Sequence, residues 1–347
     1  MCIRDSNYYY TEDEGRLLCY KSGSENILLM CAPGAKGKVV VPNTITKISH
    51  IEPELAENGD DRDIRVGFDN CQFVEEIEFQ PGGAQDLVVD GRFYATNGFT
   101  AVLGSRYYNG AFSNMPMLQR VTLPARLTAL GGCAFAKCPN LTELVFENGS
   151  RLLEIGDFAF LYTGLTEMKI PASVATLGDY LFADGCLERI SLPDTLTSLG
   201  SVFANCSTVQ EINLTGDGNG DFKTENGVVY KTKKNASGAV VGRELAYYPV
   251  GKKDASFVVP ADVVSIAPNA FSGSLYLKTL TFADSKAVLA ADGSNALIIG
   301  ESAFSDTEAL TSVTIPVRTT SIGRAAFASS NVETVVFEDC LLYTSDA

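Results

Sequence analysis

The chain has 347 residues, with 42 acidic against 27 basic side chains, a formal charge of −15 and a single histidine. That balance excludes nucleic acid as the main partner, because phosphate binding draws its affinity from Lys and Arg displacing counterions; one imidazole also excludes any metal centre that needs two. At 46% hydrophobic and 20% charged residues the composition is that of a folded chain, and no run approaches the roughly 20 apolar residues of a membrane-spanning helix.

In chain order, Met1 to Ser6 (MCIRDS) has neither the apolar core nor the cleavage pattern of a secretory signal. Tyr8 to Pro33 carries Glu14-Gly15-Arg16-Leu17-Leu18-Cys19-Tyr20 and then Ile27-Leu28-Leu29-Met30, two alternating stretches around polar turn residues. This predicts a β-hairpin over 7–33 leading into Val41-Pro42, with Tyr8-Tyr9-Tyr10 expected to lay an aromatic face over the first coil of the chain, the alternative being a sugar platform. His50 precedes an acidic stretch with Glu57, Asp60, Asp61 and Asp63. With no Gly-x-Ser-x-Gly or other nucleophile setting beside it, it reads as a surface imidazole next to a solvated loop.

From Phe68 onward one pattern recurs nine times. A Phe, usually after Ala, is followed five or six residues later by an apolar-x-x-apolar-x-apolar run. The Phe residues are Phe68, Phe112, Phe135, Phe160, Phe182, Phe203, Phe271, Phe304 and Phe327; typical runs are Leu118/Val121/Leu123 and Leu310/Val313/Ile315. Successive Phe residues lie 23, 25, 22 and 21 apart through the middle and 23 apart at the end, while gaps of 44, 68 and 33 hold insertions. Period-2 alternation at the end of each run predicts a half-buried strand, near 74, 118, 141, 165, 187, 209, 277, 310 and 332. Proline closes many of the runs, as at Pro124, Pro171, Pro193 and Pro316, and an Ile-Gly or Leu-Gly pair before the next Phe marks a sharp turn. A unit this short cannot bury enough apolar surface to offset its backbone entropy, so the units must stack into a β-rich solenoid, right-handed, with one parallel strand per turn.

These repeats resemble the BspA-like, Treponema pallidum type of leucine-rich repeat, whose unit runs Leu-x-x-Ile-x-Ile-Pro-x-x-Val-x-x-Ile-Gly-x-x-Ala-Phe-x-x-Cys. Leu123 to Cys138 (LPARLTALGGCAFAKC) and Ile170 to Phe182 (IPASVATLGDYLF) follow it almost residue for residue. Phe222 to Pro249 has a hairpin pattern and resembles an insert common in that family; the layout of 7–33 repeats it, and Leu87 to Tyr108 reads as a third, less regular copy. A single solenoid over 7–339 is therefore expected, with 1–6 and 340–347 foreign to the gene because they break the repeat register.

The resemblance implies a non-catalytic interaction or adhesion module of a secreted or cell-surface bacterial protein; the alternative is a structural spacer carrying another domain. The residues offer no catalytic, cofactor or metal site. Cys71, Cys138 and Cys206 lie three residues after the repeat Phe and Cys186 four after it, a recurring slot expected to be buried and used for packing. Asp217, Asn219 and Asp221 have the spacing of the first half of a calcium loop, but Phe222 and Val228 stand where its glycine and bidentate Glu belong. The expected docking face is the outward row of each strand, in particular Arg120, Glu143, Glu167, Lys169, Arg189 and Glu211. Its mixed charge and lack of aromatic residues suit a protein partner better than a glycan, with no nucleic acid and no membrane insertion.

Overall fold

A computed structural model describes residues 8–49, 67–93, 108–216, 220–283 and 295–337. The terminal segments 1–6 and 340–347, His50 and its acidic stretch lie outside these residues, as do Asp217 and Asn219. The chain forms two compact units, one of residues 1–187 with 196–206, the other of 188–195 with 207–347.

In the first unit, Lys36–Val41, Phe73–Phe79, Arg120–Leu123 and Glu143–Phe146 form a four-stranded parallel sheet in which each coil lies beside the next. Phe73–Phe79 begins one residue before Val74, whereas Arg120–Leu123 and Glu143–Phe146 begin two residues later than the apolar run, with the outward residue and not the first apolar one. Leu118 and Leu141 are buried but belong to the preceding turn, where their N–H groups donate to the Met115 and Cys138 carbonyls. Five coils also have a second strand that alternation does not reveal: Lys47–Ile48, Leu87–Val89, Leu127–Leu130, Glu154–Ile155 and Thr176–Leu177 pair in parallel as a return sheet. One strand per turn is thus corrected to two. Proline opens the connecting turn: the Pro124 and Pro171 carbonyls accept from Leu127 and Val174.

The arc around the repeat Phe forms a third ladder. Phe112 N–H donates to Ala134 O at 2.8 Å, Phe135 N–H to Ala159 O at 2.8 Å and Phe160 N–H to Leu181 O at 3.0 Å, so the backbone groups that a loop would leave to water are satisfied by the next coil. The rings stack down the unit, Phe68, Phe112, Phe135, Phe160, Phe182 and Phe203, at 4.8 to 6.1 Å between centroids. Two residues beyond each Phe the chain turns through the left-handed region, at Asn114, Lys137, Tyr162, Asp184 and Asn205.

The repeat glycine has a different cause from the sharp turn expected of it. A Cβ on Gly178 would lie 2.3 Å from Asp157 N and 2.5 Å from the Gly156 carbonyl carbon, so it is the neighbouring coil's backbone that excludes a side chain. Just beyond, Asp157 Oδ1 accepts from Asp179 N–H at 2.8 Å and Asp179 Oδ1 from Ser201 N–H at 3.0 Å, a short side-chain ladder between coils.

The second unit repeats the plan. Phe222–Glu225, Val228–Lys234 and Val240–Tyr247 form an antiparallel meander that feeds a parallel return sheet of Val263–Ile266, Leu297–Ile299 and Thr319–Ile322. In the first unit Tyr8–Glu12, Leu17–Ser22 and Glu25–Cys31 play the same part, so each insert is three-stranded where a hairpin was expected. The base of the third insert is present as Gly91–Phe93 paired antiparallel with Tyr108–Gly110. Ser256–Val259, Thr279–Phe282, Ser312–Ile315 and Thr334–Phe337 make the second face sheet, and Arg189–Pro193 pairs with Glu211–Thr215. Here the ring column starts with Tyr248, which stacks on Phe271 at 4.9 Å and takes the same ladder bond, to Ala270 O at 2.8 Å.

Arg126 and Arg318 hold matching places two residues after the strand-closing proline, and both are buried. Arg126 Nη1 donates to Ile45 O at 2.6 Å, and Arg318 donates to Asn295 O and Val263 O, each at 2.8 Å.

Candidate interaction face

Because the face strands pair in register, their outward side chains align. Lys38 stands beside Glu76, Glu76 beside Arg120, and Arg120 beside Glu143, a row of alternating sign across four coils. Arg120 grips the Glu143 carboxylate with Nε at 2.8 Å and Nη2 at 2.7 Å. Lys38 reaches Glu76 at 3.5 Å and also pairs with Glu78, whose hydrogen bond holds the Lys38 ammonium above the ordinary lysine range. The parallel row of Val40, Glu78, Thr122 and Val145 is less charged, and Val145 is 43% exposed. Lys38 escaped the sequence reading because its strand precedes the first repeat Phe, although Val39-x-Val41-Pro42 was the available signal.

The other expected site residues divide. Glu167 and Lys169 are exposed on the strand Glu167–Lys169, which is not part of that four-stranded sheet. The preceding coil, from Phe135 to Phe160, is 25 residues long, with Glu147 to Arg151 in place of the usual proline, and its Leu144 and Phe146 are only half-buried. A groove of about 420 Å³ opens there, lined by Leu144, Phe146, Lys169, Pro171 and Ala172 among others. In the second unit Arg189 and Glu211 lie side by side in register; Arg189 is 3.8 Å from Glu188, and Glu211 accepts from Asn213 at 3.0 Å. The remaining row there is entirely hydroxyl: Ser256, Thr279, Ser312 and Thr334.

A second feature could not be found by spacing. On the return side of the first unit a groove of about 680 Å³ is lined by Glu25, Lys47 and Arg151, and by Asp86 and Asp90, which flank the strand Leu87–Val89. Lys47 pairs with Asp90 at 2.9 Å and Arg151 with Asp86 at 2.7 Å. One aromatic also borders the face sheet: Phe73 is 52% exposed beneath the Lys36 ammonium, 5.6 Å from the ring centre.

Several chemical expectations change in the structure. Cys71, Cys138 and Cys206 fill a buried slot, but Cys186 is exposed, since the extra residue before it moves it off the slot that Gly185 then occupies. The slot is a hydrogen-bonding one: where it holds Thr163, Ser274 or Thr307, the hydroxyl donates to the carbonyl of its own coil's Phe at 2.7 to 3.0 Å. Burial pushes the Cys138 thiol up to about 12. The tyrosine cover is also corrected: Tyr9 is 62% exposed and packs on Tyr20 at 4.9 Å, while Leu17, Cys19 and Leu28 close over the coil because they come from the inner strands of the meander. Asp221 pairs with Lys234 at 2.8 Å, which holds its carboxyl below the usual range. Among the described residues no cluster of three or more His, Cys, Asp or Glu could hold a metal, and no helix is long and apolar enough to cross a membrane.

Stacked coils, each with two parallel strands and a ring column, define a β-rich repeat solenoid. The BspA type leucine-rich repeat region matches residues 105–221 and 292–347 in six copies, and by these repeats the chain belongs to the BspA-type leucine-rich repeat proteins. It is similar in structure to a leucine-rich repeat protein from Eubacterium ventriosum, at 19% identity, with a TM-score of 0.55 and coverage of 96% of this chain and 73% of that one. A leucine-rich cell surface protein from Faecalibacterium prausnitzii matches at 19% identity and a TM-score of 0.43, over 95% of this chain and 89% of that one. The pneumococcal vaccine antigen PcpA matches at 16% identity and a TM-score of 0.46, over 96% and 90%. No curated protein sequence matches the chain.

Proposed function

We propose that the chain is a protein-interaction module of a secreted or cell-surface bacterial protein, acting as one domain over 7–339 and docking a protein partner on its outward strand rows. The observation that carries this reading is the in-register row Lys38, Glu76, Arg120 and Glu143. Signs alternate along it at the strand spacing of about 4.8 Å, a pattern that a complementary row on a partner can meet charge for charge. Exposed pairs of this kind contribute only about 0.2 to 1 kcal/mol to stability, so exchanging them for a partner's charges costs the fold little. Glu167 and Lys169, and in the other unit Arg189 and Glu211, offer the same chemistry. The location rests on the family, whose BspA type repeats this chain carries. The hydroxyl row of Ser256, Thr279, Ser312 and Thr334 favours a second reading for its own sheet, that of a spacer.

The test is a screen of the purified chain against an array of extracellular and surface proteins, followed by titration of the hits. R120Q/E143Q removes a matched pair without changing net charge, and R189Q/E211Q does the same in the second unit. Binding at least tenfold weaker for either variant, with a flatter salt dependence, supports the reading. Unchanged affinity in both, with folding intact, moves the site to the meanders or off this chain.

A further inference from the structure

The meander Tyr8–Cys31 meets the coil of Phe68 at a backbone junction around Gly67. Gly67 N–H donates to Leu29 O at 2.9 Å, and Cys31 N–H donates to Gly67 O at 2.6 Å. The junction brings Cys31 and Cys71 together. Cys71 Sγ lies 3.8 Å from Cys31 O and 3.9 Å from Ala32 O, and Cys31 Sγ lies 3.8 Å from the same Ala32 O, so both thiols converge on one carbonyl. Each residue is 1% exposed.

The pair does not follow from the repeat. In the slot three residues after each Phe the order is Cys71, Met115, Cys138, Thr163, Gly185 and Cys206, so no two cysteines are neighbours along it. Cys71 has a cysteine beside it only because the last strand of the meander stands where an earlier coil would be and ends in Cys31.

We propose that Cys31 and Cys71 are the two halves of a disulfide that forms when the chain folds in an oxidising compartment, fastening the N-terminal meander to the first coil. The oxidant is a second disulfide, either small glutathione disulfide or the active-site disulfide of a thiol oxidoreductase. One cysteine thiolate attacks it, forming a mixed disulfide and expelling one thiolate; the other cysteine thiolate then attacks the protein sulfur and expels the second. Both departing thiolates take up the protons lost by the cysteines, so the protein gives up two electrons and two protons and the oxidant becomes two thiols. The neighbouring Cys71 thiol and then burial hold Cys31 well above the usual thiol range, so exchange belongs to folding, before the junction closes.

The experiment refolds the full chain in a glutathione disulfide/glutathione buffer and, in parallel, in dithiothreitol, then blocks remaining thiols and digests both samples with trypsin without reduction. Cleavage after Lys21, Lys36, Arg65 and Arg92 releases Cys31 on peptide 22–36 and Cys71 on peptide 66–92. The expected result is a linked 22–36/66–92 species in the oxidised sample that reduction resolves, with Tm raised by roughly 5 °C over the reduced protein. C31S should lose both the link and the redox dependence of Tm. Recovery of both peptides separately with blocked thiols, or a linkage to a different cysteine, overturns the proposal. The wild-type peptide map decides even where C31S does not fold. Because it reads covalent linkage, its failure is distinct from failure of the interaction reading.

Discussion

Phe182 lies between Phe160 and Phe203 at centroid distances of 5.6 and 6.1 Å and is 1% exposed, so truncating it opens a cavity that two rigid coils cannot close. F182A should cost about 3 to 5 kcal/mol in chemical denaturation; a loss under about 1 kcal/mol would mean that the ring column is not the core. Tyr248 makes the opposite case. It holds the column position in the second unit, but its Oη is buried and, among the described residues, no hydrogen-bond partner reaches it. Y248F removes an oxygen desolvated without compensation and should stabilise the protein by about 1 kcal/mol, read as a higher Tm; a lower Tm would show that the hydroxyl is satisfied. The nine repeat Phe residues were legible because they recur in a fixed frame. Tyr248 was not, since it follows a meander and lacks the Ala-Phe frame. Arg126 and Arg318 were likewise invisible: an arginine two residues after a proline reads as surface, and the Ile45, Asn295 and Val263 carbonyls that hold the two buried side chains lie elsewhere in the sequence.

At the scale of the element, the coil is held to its neighbours by three backbone ladders, of which only the face strand shows in the alternation. The return strands are two to four residues long, too short for a period to register, and the Phe arc bonds as turns do, through left-handed residues that no hydrophobic pattern marks. The Ile-Gly and Leu-Gly pairs were visible, but the physical reason for the glycine lies in the preceding coil. A methyl group on Gly178 would meet Asp157 N at 2.3 Å, and the atoms in the way are mostly backbone. G178A should therefore destabilise the protein by about 2 kcal/mol or more, measured as a fall in the denaturation midpoint; a loss no larger than the few tenths expected of a surface exchange would show that the coils can separate there. The outward rows were legible in residue identity but not in pairing. Arg120 and Glu143 were recognised as exposed, while the contact of two Arg120 nitrogens with Glu143 Oε2 depends on the register that the ladders set. The return-side groove stayed hidden because Glu25, Lys47, Asp86 and Arg151 are distant in sequence.

At the scale of the whole molecule, burial of thiols and phenols ties stability to alkaline pH. Burial pushes Cys19, Cys133 and Cys138 from 9.0 up to about 12, and Tyr230 from 10.0 to about 12. A folded pKa raised above the unfolded one means that between pH 9 and 12 the unfolded chain has lost protons which the folded chain keeps. Stability is then fully present below pH about 9 and falls as pH rises, by up to about 1.4 kcal/mol per pH unit for each such group. Tm should be flat from pH 7 to 8.5 and decline steadily above pH 9, with a shallower decline in C138A; a flat profile to pH 11 would place these thiols in water. Function is judged at the same scale. With a protein partner in hand, carbodiimide footprinting of the carboxylates compares the bound and unbound chain at Glu76, Glu143, Glu167 and Glu211 on the face strands and at Glu25 and Asp86 on the return side. An outward-row docking site predicts that labelling drops on the face strands and stays unchanged on the return side. Protection confined to Glu25 and Asp86, with the face carboxylates labelled as in the unbound chain, would contradict it.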